Sequence, residues 1–422
     1  MGAGDVSVPA VTRPAPMRLY TIAALGFAYA VIGILMNSVG VVILQSIQHL
    51  GATKLQGSAL EACKDLSVVV ASFLLATRVA KFGFRRAMIG SLLVMAATCL
   101  AASFAGSFVA MQALFVMTGL SFGVIKVATY ATIGLLARDP ADHASITGTI
   151  EGVFMIGVLA GLWIFSGFIG MDATGLAWLH VYWLLAALCA AGALAWYMVA
   201  LDESAAHADQ ANAGWREMLA LALLAATMIA LAALFLYVLI EQGVGSWLPT
   251  FNREVLRLPA AMSVQMATIY LAALAAGRLA SGLVLRRFHW LPVLLACLAA
   301  IAILIVITLP LARGVTAQAD IGWATAPVAA YIFPLLGFFL APIYPTICSV
   351  ALSALPRPGH PAMIGLIVIF SALGGTLGSL IISQLFQHVS GALAFYFLLI
   401  PIALIAVTLP IIRTQQAQRV SV

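Results

Sequence analysis

The sequence is poor in charge. Of its 422 residues only 8% are Asp, Glu, Lys or Arg, whereas 64% are hydrophobic. A soluble protein of this length needs far more charge to cover its surface. Apolar runs of about 20 residues, the length that crosses a bilayer, recur from end to end. The net charge of +6 comes mainly from short loops between these runs, so it indicates membrane topology and not nucleic-acid binding.

Several chemical motifs are also missing. The sequence has no Gly-x-x-x-x-Gly-Lys-Ser/Thr loop, which excludes a built-in ATPase, and no His-Glu-x-x-His pattern or cluster of His and Cys. The five cysteines lie inside apolar runs, where a cysteine is usually a small buried hydrophobe. We therefore expect no cofactor, no metal and no enzymatic activity. The expected partners are a small-molecule solute, protons and the lipid bilayer, and the chain is predicted to be a monomer.

The apolar runs predict an all-α membrane protein with twelve membrane-spanning helices. The predicted spans are 18–46, 58–80, 86–105, 108–136, 145–169, 178–200, 217–247, 263–286, 291–311, 326–353, 363–386 and 393–412.

Basic residues fall unevenly on the two sides of these spans. With the N-terminus inside, thirteen lie on the cytoplasmic side and four on the outer side. Because Lys and Arg concentrate in cytoplasmic loops, both termini are predicted to be cytoplasmic, in an inner membrane. The thirteen are Arg13, Arg18, Arg78, Lys81, Arg85, Arg86, Arg138, Arg216, Arg286, Arg287, Arg357, Arg413 and Arg419, and the four are Lys54, Arg253, Arg257 and Arg313.

The longest polar connector divides the chain after the sixth span. Residues 201–216 are rich in acidic and small residues, which is typical of a solvated linker. Two halves of six helices each are a common plan among transporters. The predicted parts are a disordered cytoplasmic tail 1–17, an N-terminal bundle 18–200, the linker 201–216, a C-terminal bundle 217–412 and a cytoplasmic tail 413–422.

Two loops at corresponding places in the halves are similar. Residues 78–86 read Arg-Val-Ala-Lys-Phe-Gly-Phe-Arg-Arg, and residues 277–288 read Gly-Arg-Leu-Ala-Ser-Gly-Leu-Val-Leu-Arg-Arg-Phe. Both resemble the Gly-x-x-x-Asp-Arg-x-Gly-Arg-Arg signature of the major facilitator superfamily. The resemblance implies two six-helix bundles and a cytoplasmic gate formed by Arg78, Lys81, Gly83, Arg85, Arg86, Arg278, Arg286 and Arg287. The first loop departs from the signature because Ala80 stands near the expected aspartate.

The C-terminal half carries a narrower resemblance. Residues 235–242 read Phe-Leu-Tyr-Val-Leu-Ile-Glu-Gln, residues 277–279 read Gly-Arg-Leu, and residues 343–347 read Ile-Tyr-Pro-Thr-Ile. These segments resemble the fucose/glucose/galactose–proton symporters, best over spans 7 to 11. In that group a glutamate stands about where this chain has Lys126, and an aspartate stands where Gly40 or Val41 aligns. The sugar–proton mechanism of the group therefore does not transfer to these positions.

Charged residues inside the spans are candidates for solute binding or proton coupling, because each costs about 2.5–3.5 kcal/mol at the bilayer centre. On span 2 the spacing places the three charged residues on one helical face. Lys126 is an isolated cation near the middle of span 4, which Asp65 or Glu151 could reach. A structural ion pair, a cation for an anionic solute and a proton-coupling pair are all open interpretations. The candidates are Glu61, Lys64, Asp65, Lys126, Glu151 and Glu241.

Polar and aromatic residues on the spans supply candidates for a cavity wall, since a lipid-facing polar group would be unsatisfied. They are Asn37, Gln45, Tyr130, Gln242, Trp247 and Tyr344.

The sequence therefore predicts a secondary active transporter that moves a small polar or anionic solute by alternating access with proton coupling. Export of a metabolite such as a carboxylate siderophore, or of a drug, is the alternative within this class. A non-transporting membrane sensor would need a soluble output domain, and an intramembrane lipid enzyme would need a catalytic constellation. The sequence contains neither.

Overall fold

The protein is built from helices connected by short segments. The computed structural model describes residues 15–75, 79, 82–169, 175–201, 203, 215–312, 315, 321–353, 355 and 360–420. The helices are α1 Ala15–Asn37, α2 Val39–His49, α3 Lys54–Val70, α4 Phe84–Ala105, α5 Phe108–Leu136, α6 Pro140–Phe168, α7 Val181–Tyr197, α8 Trp215–Ala222, α9 Ala225–Glu254, α10 Ala260–Val284, α11 Trp290–Leu311, α12 Ala329–Ile332, α13 Leu336–Leu340, α14 Ile343–Ser353, α15 His360–His388, α16 Gly391–Tyr396 and α17 Leu399–Val420.

Eleven helices within the described residues are long and apolar enough to cross a membrane. This confirms an all-α, multi-pass membrane protein. The helix that begins at Lys54 is not among the eleven. Its α-helical part, α3, has 17 residues, includes several charged side chains and continues into a π-helical turn, Ala71–Leu75.

Polar side chains set where several of these helices begin. Thr53 and Gln56 form a reciprocal capping box at the start of α3. The Ser107 hydroxyl accepts from the Ala110 N–H at the start of α5, and the Asp139 carboxylate accepts from the Asp142 N–H at the start of α6. Each cap supplies an acceptor for an N–H group that has no partner within its helix.

The first predicted span is interrupted. The sequence predicts one helix over 18–46, whereas α1 ends at Asn37 and α2 begins at Val39. The side chains of Asn37 and Ser38 bond back to the carbonyl groups of Gly33 and Leu35. Such local bonds compete with the helical pattern. The interruption exposes backbone and small side chains to the interior of the protein.

Prolines break the tenth predicted span, as expected from their position. The segment Ala329–Ser353 contains a 3₁₀ turn, Phe333–Leu335, around Pro334, and α13 gives way to α14 at Pro342. Proline removes a backbone donor and collides with the preceding turn. The resulting bends place Tyr344 and Ser349 on an interior wall.

Helices pack most closely within each half. In the first half α1 packs on α6, α3 on α5, and α4 on α7. In the second half α9 packs on α15 and α17, and α10 on α13. Among the described residues, the closest helix packing between the halves is that of α3 with α15, of α6 with α10, and of α2 with α9. The interior between these three contacts contains the candidate site. Below, the end that contains Lys54 is named the predicted outer end, and the end that contains Arg138 the predicted cytoplasmic end.

Candidate solute and proton site

An inner cavity of about 260 Å³ lies between the two halves. The interruption between α1 and α2 forms one wall, with Asn37 and Gly40, and α9 forms another, with Glu241 and Gln242. Lys64 and Asp65 also line it. The cavity thus collects charged and polar groups from helices far apart in the sequence.

A wider vestibule of about 1100 Å³ extends from the inner cavity toward the predicted cytoplasmic end. Lys126, Tyr130 and Glu151 form its wall on the first half, and Arg278 and Tyr344 lie on its wall in the second half. Arg278 lines both spaces. The inner cavity and the vestibule therefore meet at its side chain.

The three charged residues of α3 form a compact buried group. Lys64 Nζ lies 2.5 Å from Glu61 Oε1 and 3.4 Å from Asp65 Oδ1. Glu61 is 0% exposed and Lys64 is 4% exposed. The Ser246 hydroxyl of α9 donates to Glu61 Oε2 at 2.6 Å, so the group also bonds across the two halves.

Glu241 on α9 is held by tyrosines and lies near an arginine. The Tyr237 hydroxyl donates to Glu241 Oε1 at 2.9 Å, and the Tyr270 hydroxyl donates to the Glu241 carbonyl at 3.1 Å. Arg278 Nη2 lies 3.8 Å from Glu241 Oε1, with half of the arginine side chain exposed. The sequence grouped Arg278 with the cytoplasmic gate. The structure instead places it on the wall shared by the two cavities.

Lys126 on α5 has no ion pair in the described part of the chain. Asp65 pairs with Lys64, and the Glu151 carboxylate accepts hydrogen bonds from Tyr130 at 2.6 Å and from Tyr29 at 3.4 Å. The Lys126 ammonium is exposed to the vestibule and lies 5.6 Å from the centre of the Phe122 ring. Of the two acids the sequence offered as partners, Glu151 is the one that shares a cavity wall with Lys126.

Contacts between the halves close the predicted outer end. Lys54 Nζ lies 2.6 Å from Glu254 Oε2, and the Gln265 amide donates to the Ser166 hydroxyl at 2.8 Å. A Cβ at Gly40 would stand 2.8 Å from the Ser246 carbonyl oxygen, so α2 and α9 approach through a position that only glycine fits. The Lys54–Glu254 pair cannot be predicted from the sequence, because the spacing of two residues 200 positions apart does not indicate that they meet.

The loop before α4 contains Gly83 and is fixed by contacts of Glu203 and Arg85. Gly83 has φ 96°, a conformation that favours glycine. The Glu203 carboxylate accepts the N–H groups of Phe84 and Arg85, each at 2.8 Å. The Arg85 guanidinium bonds to the carbonyl groups of Trp196 and Tyr197. Glu203 was expected in a solvated linker, whereas it caps the α4 N-terminus.

Other gate and cavity candidates are distributed differently. Arg286 and Arg287 are exposed at the end of α10, and Arg86 lines a separate apolar groove between α4 and α5. Arg78 and Lys81 lie outside the described residues.

Two cavity-lining predictions are corrected. Trp247 is fully buried against Phe386 with its indole N–H bonded to Ser379, because its large ring packs between helices. Gln45 is buried on α2. Neither lines the inner cavity or the vestibule.

An ion pair at the predicted cytoplasmic end joins the start of α1 to the first turn of α6. The Arg18 guanidinium bonds to both Asp142 carboxylate oxygens at 2.7 and 2.5 Å, and the Arg138 N–H donates to Asp142 at 2.9 Å. The Arg138 backbone bond and the Arg18 side-chain bond lower the pKa of the Asp142 carboxyl. The link lies wholly within the first half.

Comparison with solved structures gives the same fold. A mutant of the nucleoside transporter NupG is similar with a TM-score of 0.75 and 13% identity, over 94% of this chain and 99% of that one. A bacterial homologue of the human lysosomal transporter Spinster, inward-facing and occupied, is similar with a TM-score of 0.70 and 13% identity, over 97% and 98%.

The E. coli fucose:proton symporter FucP is similar with a TM-score of 0.60 and 16% identity, over 94% of this chain and 99% of that one. At these identities the likeness shows the fold alone. A search of curated protein sequences gave no match.

A family comparison covers most of the chain. The sequence profile described as Major Facilitator Superfamily matches residues 25–333, more than half of the 422 residues. Together with the structural matches, it confirms the resemblance found in the sequence. The chain belongs to the Major Facilitator Superfamily, a family of secondary transporters and not of enzymes.

Proposed function

We propose that the chain is a proton-coupled secondary active transporter that moves a small polar or anionic solute across an inner membrane by alternating access. The observation that carries this proposal is a charged cavity between two helical halves, closed at one end and open at the other. The Lys54–Glu254 pair and the close approach at Gly40 close the predicted outer end. The vestibule opens toward the predicted cytoplasmic end.

The topology in this proposal has twelve spans and two cytoplasmic termini. The helix Lys54–Leu75 adds the twelfth span to the eleven apolar helices. The carboxylates of Glu61 and Asp65 contact α9 and α15, so the low hydrophobicity of this helix is compatible with crossing a membrane. The distribution of basic residues supports the orientation. The two bundles and the linker keep the boundaries predicted from the sequence.

Three carboxylates support proton coupling. Asp65 and Glu241 line the inner cavity and Glu151 lines the vestibule, so each carboxylate borders a space in the interior of the protein. Each also lies near a cation or a tyrosine hydroxyl that can exchange hydrogen bonds with it. A fucose:proton symporter is among the proteins of similar fold, which supports the assignment by analogy.

Transport by the purified protein in proteoliposomes tests this function. A panel of radiolabelled sugars, sugar acids, short carboxylates and siderophore-like compounds is offered with and without an imposed pH gradient, with the protein inserted in either direction. We expect uptake of at least one compound to be accelerated by the gradient. The absence of gradient-dependent uptake for the whole panel in both directions would contradict the proposal.

Amide substitutions separate coupling from structure. Asp65→Asn and Glu151→Gln should reduce gradient-driven uptake at least tenfold, while solute counterflow, which needs no net proton movement, should fall far less. Asp142→Asn is the matched control, because Asp142 lies outside both cavities. Equal loss of driven uptake and counterflow would assign these carboxylates a structural role.

A further inference from the structure

The charges within the spans differ in how well they are paired. Glu61 and Lys64 are in direct contact and buried. Arg278 is half exposed and lies 3.8 Å from its acidic neighbour Glu241, longer than a charge-assisted hydrogen bond. Lys126 forms no ion pair among the described residues, and its ammonium lies 5.6 Å from the centre of the Phe122 ring. Two cations are therefore available to a ligand.

These two cations lie on different halves of the protein and line the same vestibule. Lys126 is on α5 in the first half and Arg278 is on α10 in the second, and both line the vestibule. The carboxylate in the vestibule wall, Glu151, is already the acceptor of two tyrosine hydroxyls. The described wall therefore carries more positive than negative charge. Its apolar surroundings strengthen the field that this charge creates.

We propose that the vestibule binds an organic carboxylate between Lys126 and Arg278, so that the transported solute is an anion and not a neutral sugar. This inference rests on the proposed transport function and gives it a substrate class. A guanidinium presents parallel donors that match a carboxylate, and an ammonium is a compact second charge. Ser349 and the Tyr344 hydroxyl on the same wall offer hydrogen bonds to further polar groups of the solute.

The position of the cations also explains how the solute would promote closure. An anion that contacts Lys126 and Arg278 attracts both halves at once. Bringing the halves together excludes water and strengthens both contacts. A neutral solute gains no such electrostatic attraction. An anion therefore binds the closed state more tightly than the open state, which shifts the population toward the closed state.

The charge of the vestibule can be measured without knowing the natural solute. Ser349, exposed on the wall, is replaced by cysteine in a protein whose five native cysteines are replaced by alanine or serine. The thiol is modified by two methanethiosulfonate reagents of similar size, one with a sulfonate and one with a trimethylammonium group. The ratio of the two rates, divided by the ratio of the same two reagents with a small neutral thiol in solution, reports the local potential, because the intrinsic reactivities of the thiol and of the reagents then cancel.

We expect the sulfonate reagent to be favoured by about tenfold. Lys126→Gln and Arg278→Gln should each lower this preference severalfold, and the double variant should abolish it. Arg257→Gln is the charge-matched control, because Arg257 is exposed and lines neither cavity. Thermal melting of each variant verifies the fold. A ratio near one, or a ratio that neither cavity substitution changes, overturns the proposal.

Glucuronate and glucose then test the solute class, because both are pyranoses and differ only at C6, where one has a carboxylate and the other a hydroxymethyl group. Glucuronate should slow modification of Ser349→Cys in the protein with Lys126 intact and not in Lys126→Gln, whereas glucose should have no effect. Protection by glucose and not by glucuronate overturns the anion proposal, while it leaves a proton-coupled sugar carrier intact. The two proposals therefore fail separately.

Discussion

Two groups of charged residues lie between the halves of this transporter, and they differ in their pairing. Near the predicted outer end Lys54 contacts Glu254, and deeper in the protein Lys64 contacts Glu61, which also accepts a hydrogen bond from Ser246. In the vestibule, Lys126 faces open space and Arg278 has one distant acidic neighbour. Paired charges accompany the closed end, and underpaired charges accompany the open end.

The difference assigns separate roles to similar residues. A buried ion pair contributes little net stability, but removing one partner leaves the other charge uncompensated. We therefore expect the buried Glu61–Lys64 pair of α3 to be a structural element that depends on both signs of charge. A cation without a protein partner contributes nothing to that element and stays free to exchange with a solute. Substitution should separate the two roles.

Lys64→Met should give the largest loss of stability. It leaves the fully buried Glu61 beside Asp65 without a cation, which should lower the free energy of unfolding by about 3–5 kcal/mol. Thermal melting of purified protein measures the loss. The double variant Glu61→Leu/Lys64→Met should recover much of it, because the pair is removed together. If Lys64→Met has the same melting temperature as the wild type, the paired-charge interpretation is wrong.

Lys126→Gln should cause little loss of stability but a large loss of transport. The side chain is exposed to the vestibule, so stability should change by less than about 1 kcal/mol. Transport should fall by about 30- to 1000-fold, equivalent to about 2–4 kcal/mol of lost interaction. Initial rates in proteoliposomes measure it, with Lys126→Arg expected to retain partial activity. Normal transport by Lys126→Gln would exclude both the anion-binding and the coupling role.

Gly40→Val should open the closed end without touching a charge. The new side chain meets the Ser246 backbone and should destabilise the closed contact by about 1–3 kcal/mol, a five- to 150-fold shift in population. Electron–electron distances between spin labels at Leu55→Cys and Val389→Cys, both exposed at that end, measure the shift. Gly152→Val is the control, since a Cβ there meets no atom within 4 Å. An unchanged distance distribution would show that Gly40 does not limit closure.

The fold could be predicted well from the sequence because hydropathy is a local property. The apolar runs located the spanning helices, and Pro334 and Pro342 marked the breaks in the tenth span. The interruption at Ser38 was missed. It depends on side-chain bonds from Asn37 and Ser38 to the preceding turn, and these compete with helix only when the surrounding helices fit the bend.

The sequence predicted which charged residues are candidates for the site, but not which of them pair with each other. Insertion cost alone identified Lys64, Lys126 and Glu241 as candidates, because a charged residue within an apolar run can be recognised from the sequence without knowledge of its neighbours. Which charges pair depends on helix packing, as with Lys54 and Glu254. Glu203 was missed for the same reason. Its role as a helix cap requires the loop before α4 to return to the end of α7.

Asp142→Asn should give the smallest effect, and it tests a paired charge outside the cavities. Bonds from Arg138 and Arg18 lower the pKa of the Asp142 carboxyl in the folded protein. Because the carboxyl has a lower pKa in the folded protein than in the unfolded chain, its ionisation stabilises the fold at pH values above the unfolded pKa of about 3.9. This stabilisation disappears as the pH falls through the folded pKa. The variant should therefore melt slightly below the wild type at pH 5 to 7, and the difference should vanish in strong acid. Because the pair lies within one half, transport should be unaffected. A transport defect in Asp142→Asn would show that paired charges also participate in the transport cycle.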